Sequence, residues 1–170
     1  MRKNFIIAGL LLASVALLGA CSGNDHNAGD VTFAQQMIPH HSQALDMAKL
    51  VPSRSTNPKV LDLAKRIETA QDPEIRQMQG WLGTWGASMN HESMPGMMSG
   101  DDLKELEAAK GAQFDKLWLD MMVQHHQGAV DMARTELTQG GNADAKALAR
   151  KIIDAQQAEI TEMQGLRTQS

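Results

Sequence analysis

Two histidine pairs, His40-His41 and His125-His126, sit at the centre of a pattern that the chain carries twice. Residues 33–80 align with 118–165 at a constant offset of 85, without a gap, and 18 of the 48 positions are identical. The shared residues include side chains able to do chemistry. Met37, His40, His41 and Met47 return as Met122, His125, His126 and Met132, and Glu74 and Met78 return as Glu159 and Met163. Imidazole nitrogen is a borderline ligand and thioether sulfur a soft one; with the carboxylates they would converge on one or two metal ions. A buried carboxylate needs a partner, and an imidazole on the next helix is one. The competing reading is structural: each Glu hydrogen-bonds a His, and the methionines fill irregular core space.

Helical periodicity brings these residues together. With His40 at the origin, Phe33, Met37, His41, Ala44, Met47 and Ala48 fall within an arc of about 120°, the stripe that an amphipathic helix buries. Trp118, Met122, His125, His126, Ala129, Met132 and Ala133 repeat the stripe. Around Ile67, the polar Gln71 and Glu74 fall among Leu63, Ala64, Ile75 and Met78, and their counterparts Gln156 and Glu159 do the same.

A second group of ligand-type residues lies between the copies: Met89, His91, Met94, Met97 and Met98, set among Asn, Ser, Pro and Gly. Exposed methionines are a liability without a purpose. Thioethers stay neutral and usable where thiols would oxidise, so a secondary soft-metal loop is one reading. A Met-rich plug folded back over the bundle is the other.

Four helices are expected to carry these residues. The first spans about 31–50 behind an Asp30 cap. The second starts at Asn57-Pro58, a cap followed by proline at the first helical position, and ends near 82. The third runs from Asp101 or Asp102 to about 138, ahead of Gly140-Gly141, and the fourth from Asn142 to about 167. Pro39 and Pro73 fall inside helices and should kink them. No strand pattern is present. Two duplicated helical hairpins make an all-α, up-and-down four-helix bundle over residues 31–168, with a Met-rich connector at 83–100. Trp81, Trp85 and Trp118 are expected near the bundle ends.

The ends and the composition set the address. Arg2 and Lys3 precede the uncharged stretch Phe5–Ala20, which is shorter than a membrane span and reads as a signal peptide over residues 1–20. Leu18-Gly19-Ala20-Cys21 is a lipobox pattern, and Cys21 is the only cysteine. Lipidated Cys21 and a polar tether to residue 30 would hold the domain on a bacterial envelope membrane, periplasm-facing or at the outer surface. Losing Arg2 and Lys3 leaves 14 basic against 20 acidic side chains, a net charge of −6, which argues against a nucleic-acid partner.

The motifs Met37-Ile38-Pro39-His40-His41 and Met122-Val123-Gln124-His125-His126, each followed by Ala-x-Asp-Met-Ala, resemble the family called domain of unknown function 305. Glu74-Ile75-x-x-Met78, Trp81-Leu82-x-x-Trp85 and Met94-Pro95-Gly96-Met97 resemble it too, so the likeness covers nearly all of residues 31–167. It implies a ferritin-like four-helix bundle, exported, in a family with some members linked to copper binding and tolerance. It also implies that His40, His41, His125, His126 and the neighbouring methionines are ligands. Gln124 stands where the first copy has Pro39, so the two copies need not bind equally.

Three functions compete. The leading expectation is a lipid-anchored, extracytoplasmic protein that sequesters or transfers copper, favouring Cu(I) but open to Cu(II), with metal ion as ligand and a copper-handling protein as partner. A ferritin-like oxidase would need Glu-x-x-His, which is absent, as is His-Glu-x-x-His; no nucleophile stands out, so no enzyme activity is expected. An envelope interaction module with structural His and Met is the third reading.

Overall fold

The computed structural model describes residues 26–89 and 94–168. They form five helices and no strand: α1 (Ala28–Arg54), α2 (Pro58–Trp85), α3 (Gly100–Ala108), α4 (Gly111–Gln139) and α5 (Ala143–Arg167). The hairpins α1–α2 and α4–α5 each pack tightly, and α1 lies against α4. The result is an all-α four-helix bundle with one short additional helix. No helix among the described residues is long and apolar enough to cross a membrane. The signal segment, Cys21 and His91 lie outside the described residues.

Helix boundaries differ from the sequence expectation: α1 runs on to Arg54 and α2 to Trp85, and the start of α1 and the third helix differ as well. The first helix begins at Ala28 under an Asn27 cap, whose side chain accepts from the N–H groups of Gly29 and Asp30. Asp30 is the third helical residue and completes a capping box by accepting from the Asn27 N–H. Its carboxylate also accepts from Gly141 N–H at 3.0 Å and Asn142 N–H at 2.8 Å, fastening the start of α1 to the α4–α5 turn. The expected third helix is two helices. Ser99 caps α3 with Asp102, and the chain is extended at Ala109 and Lys110 before Gly111, at φ 59°, opens α4. That left-handed conformation favours glycine. The break lets α3 turn Leu106 into the core, where it is fully buried.

The core is in two parts. One holds Met47, Met122 and Met163 with Val51, Leu63, Ile67, Phe114 and Trp118; the other holds Met37, Met78 and Met132 with Phe33, Ile75 and Ile152. Repeat counterparts always lie in opposite parts, as a twofold relation between the hairpins requires. Trp118 is fully buried and its indole N–H donates to the Met47 carbonyl at 3.1 Å. Trp118→Ala is therefore expected to cost about 3–5 kcal/mol, the range for truncating a buried aromatic. Urea denaturation of the purified protein measures it.

Candidate metal centre

Between the two apolar clusters each helix contributes polar residues at mid-length. They are His40 and His41 from α1, Gln71 and Glu74 from α2, His125 and His126 from α4, and Gln156 and Glu159 from α5. All four histidines are at most 1% exposed. Because every contributor sits near the middle of its helix, the bundle holds a polar layer with a Met-bearing apolar cluster on either side.

The layer divides into outer pairs and an inner pair. His41 Nε2 is 2.9 Å from Glu74 Oε2, and His126 Nε2 is 2.8 Å from Glu159 Oε2. A carboxylate can only accept, so Nε2 carries the proton in each pair and Nδ1 of a neutral ring keeps its lone pair. Burial pushes the Glu74 carboxyl up, but His41 and the Lys151 ammonium, 3.2 Å from Oε1, hold it below its usual range. The inner pair is His40 and His125, whose rings overlap at a centroid distance of 3.7 Å and an angle of 34°. They are repeat counterparts, so the pseudo-twofold axis passes between them.

By hydrogen-bond geometry no partner satisfies either nitrogen of His40 or His125, or Nδ1 of His41 or His126; the backbone carbonyls of Pro95 and His40 approach the His40 and His125 rings without completing a bond. That makes six orphaned imidazole nitrogens in one buried layer, an arrangement that costs stability unless something binds them. Burial pushes His40 down to about 3, helped by His41 and His126. The same cause takes His125 well below the ordinary histidine value. Both rings are neutral at physiological pH, the form that ligates metal.

The structure brings together His40, His41, His125, His126, Glu74 and Glu159, but not as one ready-made chelate. Among the described residues no three His, Cys, Asp or Glu side chains are grouped to hold an ion. The two carboxylates are engaged by His41 and His126. This is the arrangement of groups that orient ligands from behind. The inner rings are in contact and tilted by 34°, so an ion shared by their nitrogens must turn at least one ring. Met37 and Met122 precede His40 and His125 by three residues and so lie one turn away on the same face. Met47, Met78, Met132 and Met163 are buried in the flanking clusters. In the connector, Met89 is 39% exposed, Met94 packs on one apolar cluster and Met98 is buried in the other; Met97 is half-buried.

Sequence reasoning missed two buried ionisable residues, Asp115 and Glu136. Glu136, on α4, is 1% exposed, and no donor reaches either carboxylate oxygen. Burial and the adjacent Asp30 push it up to about 8. Its repeat counterpart is Val51, so a search for shared residues passes over it. The helical period was the available signal: eleven residues beyond His125 returns to nearly the same face.

Fold and site together define a class, the four-helix bundle made by hairpin duplication around a buried imidazole layer. The model of one family, Domain of unknown function (DUF305), matches residues 30–167, and the chain belongs to that family. Solved relatives agree. A DUF305 protein from Streptomyces coelicolor is 31% identical, with a TM-score of 0.78 over 81% of this chain and 91% of its own. A DUF305 fragment from Deinococcus radiodurans is 33% identical, with a TM-score of 0.78 over 85% and 98%. CopM in its Cu(I)-bound form is 31% identical, with a TM-score of 0.73 over 82% and 96%, and has Cu(II)- and Ag-bound forms as well. An uncharacterized protein of Acanthamoeba polyphaga mimivirus, L153, is 38% identical over 53 residues, 31% of this chain and 35% of that protein.

Proposed function

We propose that this protein binds copper in the polar layer, as an extracytoplasmic sequestering or transfer protein that does no turnover. The observation that carries the reading is the set of six orphaned imidazole nitrogens between two Met-bearing clusters. Its similarity to CopM, a copper-bound protein, supports the choice of metal. His40 and His125 would supply nitrogen and Met37 and Met122 sulfur, a set that suits Cu(I). His41 and His126, oriented by Glu74 and Glu159, would support or complete the set. Cys21, as a lipidated residue, would keep the domain on the envelope membrane.

The structural rival also has an observation in its favour. The His41–Glu74 and His126–Glu159 pairs are complete without metal. Thermal melts separate the two readings, because a ligand that binds only the folded state raises the melting temperature. Cu(I) kept reduced and Ag(I) are expected to raise it by several degrees or more at micromolar excess, and Zn(II) by less. A melting temperature indifferent to all three would leave the layer as packing and end the copper reading.

A further inference from the structure

The described parts of the connector, on either side of residues 90–93, are each tied to α1. The Gln35 side chain donates to the Ser88 carbonyl, and Gln43 grips the Met98 backbone, donating to its carbonyl at 2.9 Å and accepting from its N–H at 2.7 Å. Met94 packs on one apolar cluster and Met98 on the other, so residues 94–98 cross the level of the polar layer. At the crossing the strap touches α4. A Cβ on Gly128 would lie 2.2 Å from the Pro95 carbonyl oxygen, and one on Gly96 would lie 3.1 Å from the His125 carbonyl oxygen. The Pro95 carbonyl also approaches His40. Gly96 has φ 78°.

Gln43 and Gly128 are repeat counterparts. A single strap lying across a pseudo-twofold axis meets the two copies differently. One needs a clamp, and the other needs room for backbone. The sequence supplies both at the same register. Met97 is half-buried and sits between Gly96, which packs on the 124–128 turn of α4, and Met98, held by Gln43 of α1, so the residue lies at the register of the histidines.

The opposite seam is bridged by ion pairs. Lys151 of α5 reaches Glu74 of α2, and Arg66 of α2 reaches Glu162 of α5 at 2.5 Å, which places two positive side chains across it. Beside the strap, the hollow against Pro95 and Gly96 is lined by Gln124, Gln127, Asp131, Gln164 and apolar residues, with no Lys or Arg.

We propose that the strap is the port by which copper reaches His40 and His125, with Met97 as the transit thioether that carries the ion across the strap into the layer. The proposal rests on the copper reading and adds a route, a side and a residue to it. Ligand exchange from thioether to imidazole needs no redox step: one Cu–S bond is replaced by one Cu–N bond at constant oxidation state.

The test is stopped-flow transfer of Cu(I) from its coloured bathocuproine disulfonate complex to the purified protein, with the equilibrium position read from the same mixtures. Met97→Leu keeps volume and removes the sulfur. It is expected to slow transfer at least tenfold while moving the equilibrium less than threefold. Gly128→Ala, which displaces the Pro95 carbonyl, should slow transfer similarly, whereas Met94→Leu should transfer at the parental rate. Parental rates in both Met97→Leu and Gly128→Ala would overturn the port. So would a Met97→Leu variant with a hundredfold weaker equilibrium, because Met97 would then be a resident ligand. Failure of the parent to take up Cu(I) at all would instead be a failure of the copper reading.

Discussion

Replacing His40 and His125 together with leucine is expected to raise the melting temperature of the metal-free protein and to abolish its response to Cu(I). Four orphaned nitrogens lie in these two rings. A buried polar group without a partner costs about 1–3 kcal/mol, whereas an apolar group of similar volume in the same place costs little. The net gain expected is about 2–4 kcal/mol, which for a domain of this size is on the order of 5–10 °C. Leucine is the informative choice. Alanine would open a cavity whose own cost would hide the gain. A double variant that melts well below the metal-free parent would show that the contacting rings stabilise the fold as they stand. The inference from orphaned nitrogens to a bound ion would then fail.

The second large effect is a two-sided dependence of metal-free stability on pH, with a maximum near the ordinary histidine value of 6.5. On the acid side, His40 and His125 bind protons more weakly folded than unfolded. The stability they contribute is present above 6.5 and is lost as pH falls toward the folded value, about 3 for His40. Asp30 and Glu74 add to the acid loss, because both are held below their usual values in the fold. On the alkaline side, Glu136 has the opposite sign. Its folded value of about 8 lies above the ordinary 4.5, so its contribution is complete below 4.5 and gone once pH has passed through about 8. Within that window each pH unit removes up to about 1.4 kcal/mol. Glu136→Gln keeps the shape and cannot ionise. Melting curves of variant and parent should differ least at pH 5 and most above pH 8, with the variant the more stable. A difference that did not change with pH would remove Glu136 as the source of the alkaline loss.

The repeat made much of this legible in the sequence. His40, His41, Glu74 and their counterparts fall on inward stripes by helical period alone, and the pairing of each Glu with a His follows from the demand of a buried carboxylate. What the stripe could not show was depth along the helix. Met37 and Met47 share a face but are ten residues apart, about 15 Å of helix rise, so they belong to different clusters. The helix α3 was hidden because a glycine inside a helical pattern is usually tolerated, and nothing local marks Gly111 as left-handed. Asp30 reads as a cap from its neighbours. Its role as the third residue of a capping box depends on Asn27, and its hold on Gly141 and Asn142 depends on tertiary contact. Asp115, the counterpart of Asp30 and likewise buried, carries the duplication further toward the N-terminus than the 33–80 alignment shows. The strap was invisible for a related reason. Met94-Pro95-Gly96-Met97 shows its ligand chemistry, while its seat on Gly128 is a contact between residues about thirty apart.

The mid-height polar belt also fixes how the helices align lengthwise. Leu, Met and Ala tolerate sliding past one another, but a shift of one turn here would drive imidazoles and carboxyl groups into hydrocarbon and strand them from each other. The bundle is therefore indexed: every helix has one axial position that keeps like with like. A fully greasy interior would melt later but would lose that index, and its helices could settle at more than one offset.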